Sequence, residues 1–333
     1  MTKDEIKVII EKSKFEDLDI TYPEPLITIK DKVILTDNNF ITISGLPKAR
    51  KTTFMQFFIA SCLTDKSFFG IKSNLKSTDK VVLIDTEQSI YDFHKQNKFL
   101  KKALENNKLP KKFSAYLFRE FEPDVILNSI YTIAQEQKPK IIFIDNLTEL
   151  CINPNDIAEA KKVIQFLKKV TAQFNCGIVC LLHLAKSNSF TLGNLGSYAD
   201  RGAQSVLRVT LDKETDTSTL DCSMLRSDAH FEPITIQYDT NQNKYTYAEN
   251  KTTNNEKSIK KAFTMDKFSD EEIKSRLDIV FDMQPEYVYS ALVENLKKVF
   301  GVGDNAIKQI VIPFILFKKY IKNKDKIYTY YKK

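Results

Sequence analysis

The stretch Phe40-Ile41-Thr42-Ile43-Ser44-Gly45-Leu46-Pro47-Lys48-Ala49-Arg50-Lys51-Thr52-Thr53 decides how the chain is read. It gives a short apolar strand, a loop opening at glycine, and Lys-Thr-Thr at the start of an amphipathic helix, Phe54 to Cys62. A loop that wraps phosphates has this order, because backbone N–H groups and a helix N-terminus together present positive field to an anion. Lysine then reaches the outer phosphates and a threonine hydroxyl takes the magnesium ion. The pattern Gly-x-x-x-x-Gly-Lys-Thr is met by Gly45, Lys51 and Thr52, with Arg50 where the second glycine belongs. Alone, the loop leaves a nucleotide site and a chance match both open.

The strands that follow narrow the choice. Lys80-Val81-Val82-Leu83-Ile84-Asp85-Thr86-Glu87 and Lys140-Ile141-Ile142-Phe143-Ile144-Asp145 are apolar runs ending in acids. Cys176-Gly177-Ile178-Val179-Cys180-Leu181-Leu182-His183 ends likewise in a polar residue. Continuous apolar runs mark strands buried on both faces. Helices are expected at Ser89 to about Asn106, Asp124 to Gln137 and 155–174, with a further strand at Phe113 to Phe118. Alternation of this kind predicts an α/β fold, a mostly parallel sheet covered by helices on both faces. Ligands bind at the carboxyl ends of such strands. Gly45, Glu87, Asp145 and His183 are therefore expected at one edge.

Val33-Ile34-Leu35 and Phe40 to Ile43 read as a strand or hairpin turning at Asp37-Asn38-Asn39. Ala185 to Arg201 reads as a polar loop, with Gly193, Gly196 and Gly202 under special backbone demand. From Ala203 to Ala248 short β segments (Ser205 to Leu211, Thr219 to Leu225, Ile234 to Tyr238, Lys244 to Tyr247) predict antiparallel strands extending the sheet. The domain plan is an N-terminal arm 1–30, a core 31–250, a polar linker 251–267 and a small domain 268–333. In that last domain, helices at Asp270 to Phe281 and Pro285 to Phe300 precede a turn at Gly301-Val302-Gly303. A helix capped by Asp304 and a short strand Lys326 to Tyr331 follow, the outline of a winged helix-turn-helix. Pro313 should kink or break the helix that contains it.

The 333 residues carry 50 Lys and Arg against 43 acids, a net charge of +7, which permits a nucleic-acid partner without demonstrating one. The basic tail, including Lys318 and Lys319, suits phosphate contact or a solvated lysine face. The polar N-terminus lacks a signal-peptide core, no apolar run approaches a membrane span, and no membrane partner is expected. Five cysteines in mostly apolar segments read as reduced core thiols of a cytoplasmic protein.

Each polar strand end has a chemical reading. Lys51 would hold the outer phosphates, Thr52 and Asp145 magnesium, with Thr53 as a reserve hydroxyl. Glu87 would orient or deprotonate the attacking water, and His183 would sense the terminal phosphate. The expected ligands are ATP and Mg2+, bound along Gly45, Leu46, Pro47, Lys48, Ala49, Arg50, Lys51, Thr52 and Thr53.

Taken together, these motifs resemble the RecA-like ATPase core over about residues 25–250, most of all the hexameric helicase branch of RepA/DnaB-type proteins and their plasmid and mobile-element relatives. In those relatives the loop often reads Gly-x-Pro-Lys-x-x-Lys-Thr, which makes Arg50 a family variant. The resemblance implies an ATP-driven motor on DNA, with single strands as the first expected partner and duplex as a further candidate. It implies self-association as a hexamer, in replication or mobilisation of such an element. It also implies that Lys186, Ser187 and Asn188 face DNA in a central channel. Arg226 would reach a neighbour's γ-phosphate as an arginine finger, with Met224 standing where the family has lysine. Two other readings stay open: a nucleotide-binding DNA regulator or loader with little hydrolysis, and a RecA-fold switch ATPase acting on protein.

Overall fold

The computed structural model describes residues 2–14, 24–184, 193–248, 265 and 268–331. The chain forms two compact units, Met1–Glu249 and Asn250–Lys333.

In the first unit, helix α1 (Lys3–Ser13) opens on a capping box in which Thr2 and Glu5 satisfy each other's backbone amides. Strands β1 (Ile27–Ile29) and β2 (Lys32–Leu35) pair antiparallel, followed by β3 (Phe40–Gly45) and α2 (Lys51–Leu63). The turn at Asp37–Asn39 thus closes no hairpin between β2 and β3. All six residues of β3 are buried, and only an interior place in a large sheet covers both faces of such a strand. Helix α2 is likewise not amphipathic. Eleven of its thirteen residues are buried, because the strands lie beneath it while other elements close over it.

After β4 (Ile71–Ser73), which joins β1, come β5 (Val81–Asp85), α3 (Ile90–Ala103), β6 (Phe113–Leu117) and α4 (Pro123–Gln137). Strand β7 (Ile141–Asp145), α5 (Ile157–Phe174) and β8 (Gly177–His183) follow, then α6 (Gly193–Gly202). Strands β9 (Ser205–Asp212), β10 (Thr217–Leu225), β11 (Ile234–Asp239) and β12 (Lys244–Tyr247) complete a nine-stranded sheet of order β12-β11-β10-β9-β3-β8-β7-β5-β6. From β6 to β9 every neighbouring pair is parallel, and β10 to β12 add antiparallel. The α/β fold with a mostly parallel sheet is therefore present. Strand β9 pairs antiparallel with β10, as expected, and also parallel with β3, so the sheet changes from parallel to antiparallel across it.

Alternate residues of the same strands feed two cores. Ile43 and Leu83 pack with Phe54 and Phe58 of α2 on one face, and Val82 and Ile84 with Ile130 of α4 and Leu167 of α5 on the other. The expected loop before Arg201 is partly helix. Gly193 opens α6 at φ +66°, where a Cβ would stand 2.6 Å from the Pro154 carbonyl oxygen, so backbone sign and space both demand glycine.

The second unit holds α7 (Asp270–Met283), β13 (Glu286–Val288) and α8 (Tyr289–Phe300). A helical run follows from α9 (Asp304–Ala306) through a π segment (Ile307–Val311) to α10 (Ile312–Phe317), and then β14 (Ile321–Lys324) and β15 (Ile327–Tyr330). The helix expected from Pro285 begins as a strand, since only Tyr287 of residues 286–288 is buried, the period of two. Pro313 does not break its helix. It sits in the first turn of α10, and the π segment before it absorbs the missing N–H and the ring. Asp304 is not the cap, which is Gly303; its carboxylate meets Lys297 at 2.7 Å and Lys308 at 3.1 Å. Among the described residues no single helix is long and apolar enough to cross a membrane. All five cysteines are buried and form no disulfide.

Candidate active site

Strand β3 delivers Gly45 into a close approach, where an added Cβ would lie 2.6 Å from the Val209 carbonyl oxygen. The loop then passes through left-handed backbone at Lys48 (φ 66°) and Arg50 (φ 71°) before α2 begins at Lys51. Left-handed geometry explains why the pattern wants glycine at position 50, and it costs a residue with a side chain about 1–2 kcal/mol. The arginine offsets that cost through its head. Its guanidinium pairs with the Asp216 carboxylate, donates to the Asp216 carbonyl at 2.7 Å and to Ser218 Oγ at 3.3 Å. Its charge is thereby turned toward the β9–β10 turn.

Lys51 Nζ donates to the carbonyls of Gly45 (3.1 Å) and Leu46 (3.2 Å) and lies 3.1 Å from His183 Nδ1. Gly45 and His183 are register partners on β3 and β8, which is why the lysine finds the imidazole. An ammonium only donates, so Nδ1 accepts and the ring proton belongs on Nε2. That atom faces Glu87 Oε2 at 3.5 Å. A phosphate-type lysine, a histidine and a carboxylate thus form one chain.

Beside it, Thr52 Oγ1 donates to Asp145 Oδ2 at 2.9 Å. Asp85 and Asp145 are register partners on β5 and β7, and both are buried. Asp85 Oδ1 accepts the amides of Glu87 (3.0 Å) and Gln88 (2.9 Å), a turn that brings Glu87 back over the strand ends. Asp85 Oδ2 has no hydrogen-bond partner among the described residues.

Asp145 and Glu87 therefore act on one largely buried ammonium, and Asp85 stands behind Asp145. Burial pushes the Lys51 pKa down, opposed by Asp145 and Glu87. Burial, with the nearby Asp85 charge, pushes Asp145 up to about 7, and burial raises Asp85. Glu87 moves the other way, below its ordinary value, chiefly through the His183 hydrogen bond. Hydroxyl and carboxylate oxygens with surplus buried negative charge fit Mg2+, a hard cation that takes oxygen donors. Thr52 and Asp145 would hold it.

The raised Asp145 value fixes a pH dependence. Between about pH 4 and 7 the unfolded chain gives up this proton before the native protein does, so the Asp145 contribution to native stability falls across that window and is lowest above it. Asp145→Asn keeps an oxygen to accept the Thr52 hydroxyl and removes the charge. Without nucleotide, its melting temperature at pH 8 is expected to exceed that of wild type by about 5 °C. The gap should close toward pH 4. Equal melting at pH 8 would refute the burial cost.

A cavity of about 590 Å³ opens over these groups, lined by Lys48, Arg50, Lys51, Thr52, Glu87, Asp145 and His183, and also by Arg119. A second, of about 640 Å³, shares Arg50 and Thr52 with it and is walled by Thr53, Gln56, Phe99, Tyr238 and Tyr245. Both volumes fall in the small-molecule range. Tyr245 meets Tyr238 and Phe99 edge-on, with ring centroids 5.1 and 5.8 Å apart. Sequence reasoning missed Arg119, Asp216 and the aromatic wall, which come from separate segments with no motif of their own. The strand-end position of Asp85 was a usable signal.

Other expected residues fall as follows. Leu46 is half exposed and Ala49 is buried beneath the loop. Arg226 donates to the Arg201 carbonyl and does not line the cavity of its own chain. Lys186, Ser187 and Asn188 lie outside the described residues. In the second unit, Lys318 Nζ lies 3.8 Å from Asp270, and Lys319 is exposed.

A search of curated proteins finds no match to the chain. Among solved structures it is similar to the RadB recombinase, at 12% identity and a TM-score of 0.43, covering 64% of this chain and 92% of that one. It is also similar to a KaiC-like protein from the hyperthermophilic archaeon Pyrococcus horikoshii OT3, at 15% identity and a TM-score of 0.47, covering 71% and 100%. The family described as AAA domain matches residues 10–189, over half of the chain, and the protein belongs to that family as a P-loop ATPase.

Proposed function

We propose that this protein binds ATP with Mg2+ at the β3 loop, hydrolyses it, and uses the cycle to act on DNA. The observation that carries the reading is the chain Lys51–His183–Glu87 beside Thr52–Asp145. Lys51, now resting on two loop carbonyls, would exchange them for the outer phosphate oxygens. His183 would report that exchange to Glu87. Glu87 would orient a water molecule and take its proton as the water oxygen bonds to the terminal phosphorus and the bond to the ADP oxygen breaks. Mg2+ would neutralise charge between the phosphates. The aromatic wall of Phe99, Tyr238 and Tyr245 would take the base.

The DNA reading rests on the second unit. Its order, helix–strand–helix–helix–strand–strand with sheet order β13-β15-β14, supports a winged helix. The helical run 304–317 contributes Lys308, which is paired with Asp304, so the hairpin carries the basic character. Lys322, Lys324 and Lys326 are exposed on the β14–β15 hairpin and Lys319 is exposed just before it. Replacing all four by alanine is expected to lower the salt slope of duplex binding by about 0.9 for each phosphate that these lysines neutralise. An unchanged slope would remove the hairpin from the interface.

As part of the same proposal, the motor works as a ring in which Arg226 serves the neighbour's site, and Lys186, Ser187 and Asn188 meet single-stranded DNA. Magnesium-dependent ATP turnover stimulated by single-stranded DNA, with a larger assembly in light scattering when ATP is present, is the expected result. Arg50 in the glycine position and Met224 in the lysine position favour a second reading, a nucleotide-dependent DNA regulator. Tight ATP-dependent duplex binding with no unwinding and little turnover would select it.

A further inference from the structure

Four cationic side chains line the phosphate cavity: Lys48, Arg50, Lys51 and Arg119. Arg50 is neutralised by Asp216, and Lys51 faces the Asp145 and Glu87 carboxylates. Arg119 makes no hydrogen bond or ion pair among the described residues. Its place is set by the sheet. Strands β5 and β6 pair in parallel with Asp85 opposite Leu117, so Glu87 and Arg119 each stand two residues past one register pair, on adjacent strand ends. The turn that carries Arg119 is held firmly. The Phe118 amide donates to the Asp85 carbonyl at 2.7 Å, and the Phe121 amide to the Phe118 carbonyl at 3.1 Å. The Phe118 ring stacks on Tyr116 and meets Phe121 edge-on.

A guanidinium with no partner among the described residues, on the lining of the cavity that also holds Lys51, is free to take an anion. We infer that Arg119 is an intrasubunit arginine that binds the terminal phosphate of ATP, opposite Lys51, and stabilises the charge that gathers on its oxygens during hydrolysis. The inference rests on the nucleotide reading above. It makes part of the transition-state charge compensation independent of a neighbouring subunit, and it gives the site a means of telling ATP from ADP.

The test compares binding of ATP, in its slowly hydrolysed thiophosphate form, and of ADP to the full chain, for wild type, Arg119→Ala, Arg119→Lys and Lys51→Ala. Arg119 is exposed, so the variants should keep the fold, which melting curves check. Arg119→Ala is expected to lose about tenfold or more in affinity for the triphosphate while ADP affinity stays unchanged. Its kcat should fall by about a hundredfold or more, and Arg119→Lys should recover part of both. Equal weakening of the two nucleotides, or no change in either, overturns the assignment. Wild type and Lys51→Ala binding neither nucleotide would instead overturn the nucleotide reading itself.

Discussion

Lys51→Ala is expected to abolish ATP turnover, with kcat at least about 10²–10³-fold below wild type. The size follows from the charge around the lysine. Asp145 and Glu87 act on this ammonium, and the guanidinium of the adjacent Arg50 is committed to Asp216. Without Lys51 the strand ends present carboxylates to a polyphosphate, so affinity should fall together with rate. His183 also loses the donor that fixes its tautomer, and its proton is no longer held on the nitrogen facing Glu87. Turnover by the variant within a few-fold of wild type would remove the β3 loop from the chemistry.

Glu87→Gln should separate binding from chemistry. The substitution keeps the size of the side chain, so ATP affinity should change little. It removes the group proposed to take the proton, for which a loss of about 10²–10⁴-fold in kcat is expected. Because His183 holds the Glu87 carboxyl below its ordinary pKa, the group is ionised across the neutral range, and the wild-type rate should not fall through Glu87 protonation near pH 6. Single-turnover and binding measurements on one preparation provide the check. A variant that hydrolyses ATP at the wild-type rate would transfer the role of base to another group.

The sheet was legible in the chain because a strand buried on both faces has no alternative composition. Val81–Asp85, Ile141–Asp145 and Gly177–His183 are continuous apolar runs whose first strongly polar residues fall at the carboxyl end. Short segments were less legible. Glu286–Val288 was read as helix because three residues show too little periodicity to oppose the helical pattern that follows. Pro313 predicts a kink or break from composition alone, because a π segment, which accommodates it, leaves no composition signal.

The sequence by itself determined the order of the candidate site residues, since each lies at or shortly after the end of a strand whose position in the fold is set by hydrophobicity. Gly45, Lys51, Thr52, Glu87, Asp145 and His183 belong to this group. Only tertiary structure decided how they connect. Parallel register sets Gly45 beside His183 and Asp85 beside Asp145, and it sets Glu87 and Arg119 at one level. The fate of Arg50 was decided the same way. Its left-handed backbone is local, but Asp216, the carboxylate that takes its charge, lies 166 residues further along the chain. Pairings over such separations depend on the packed sheet, because no local pattern records which strand will lie next to which.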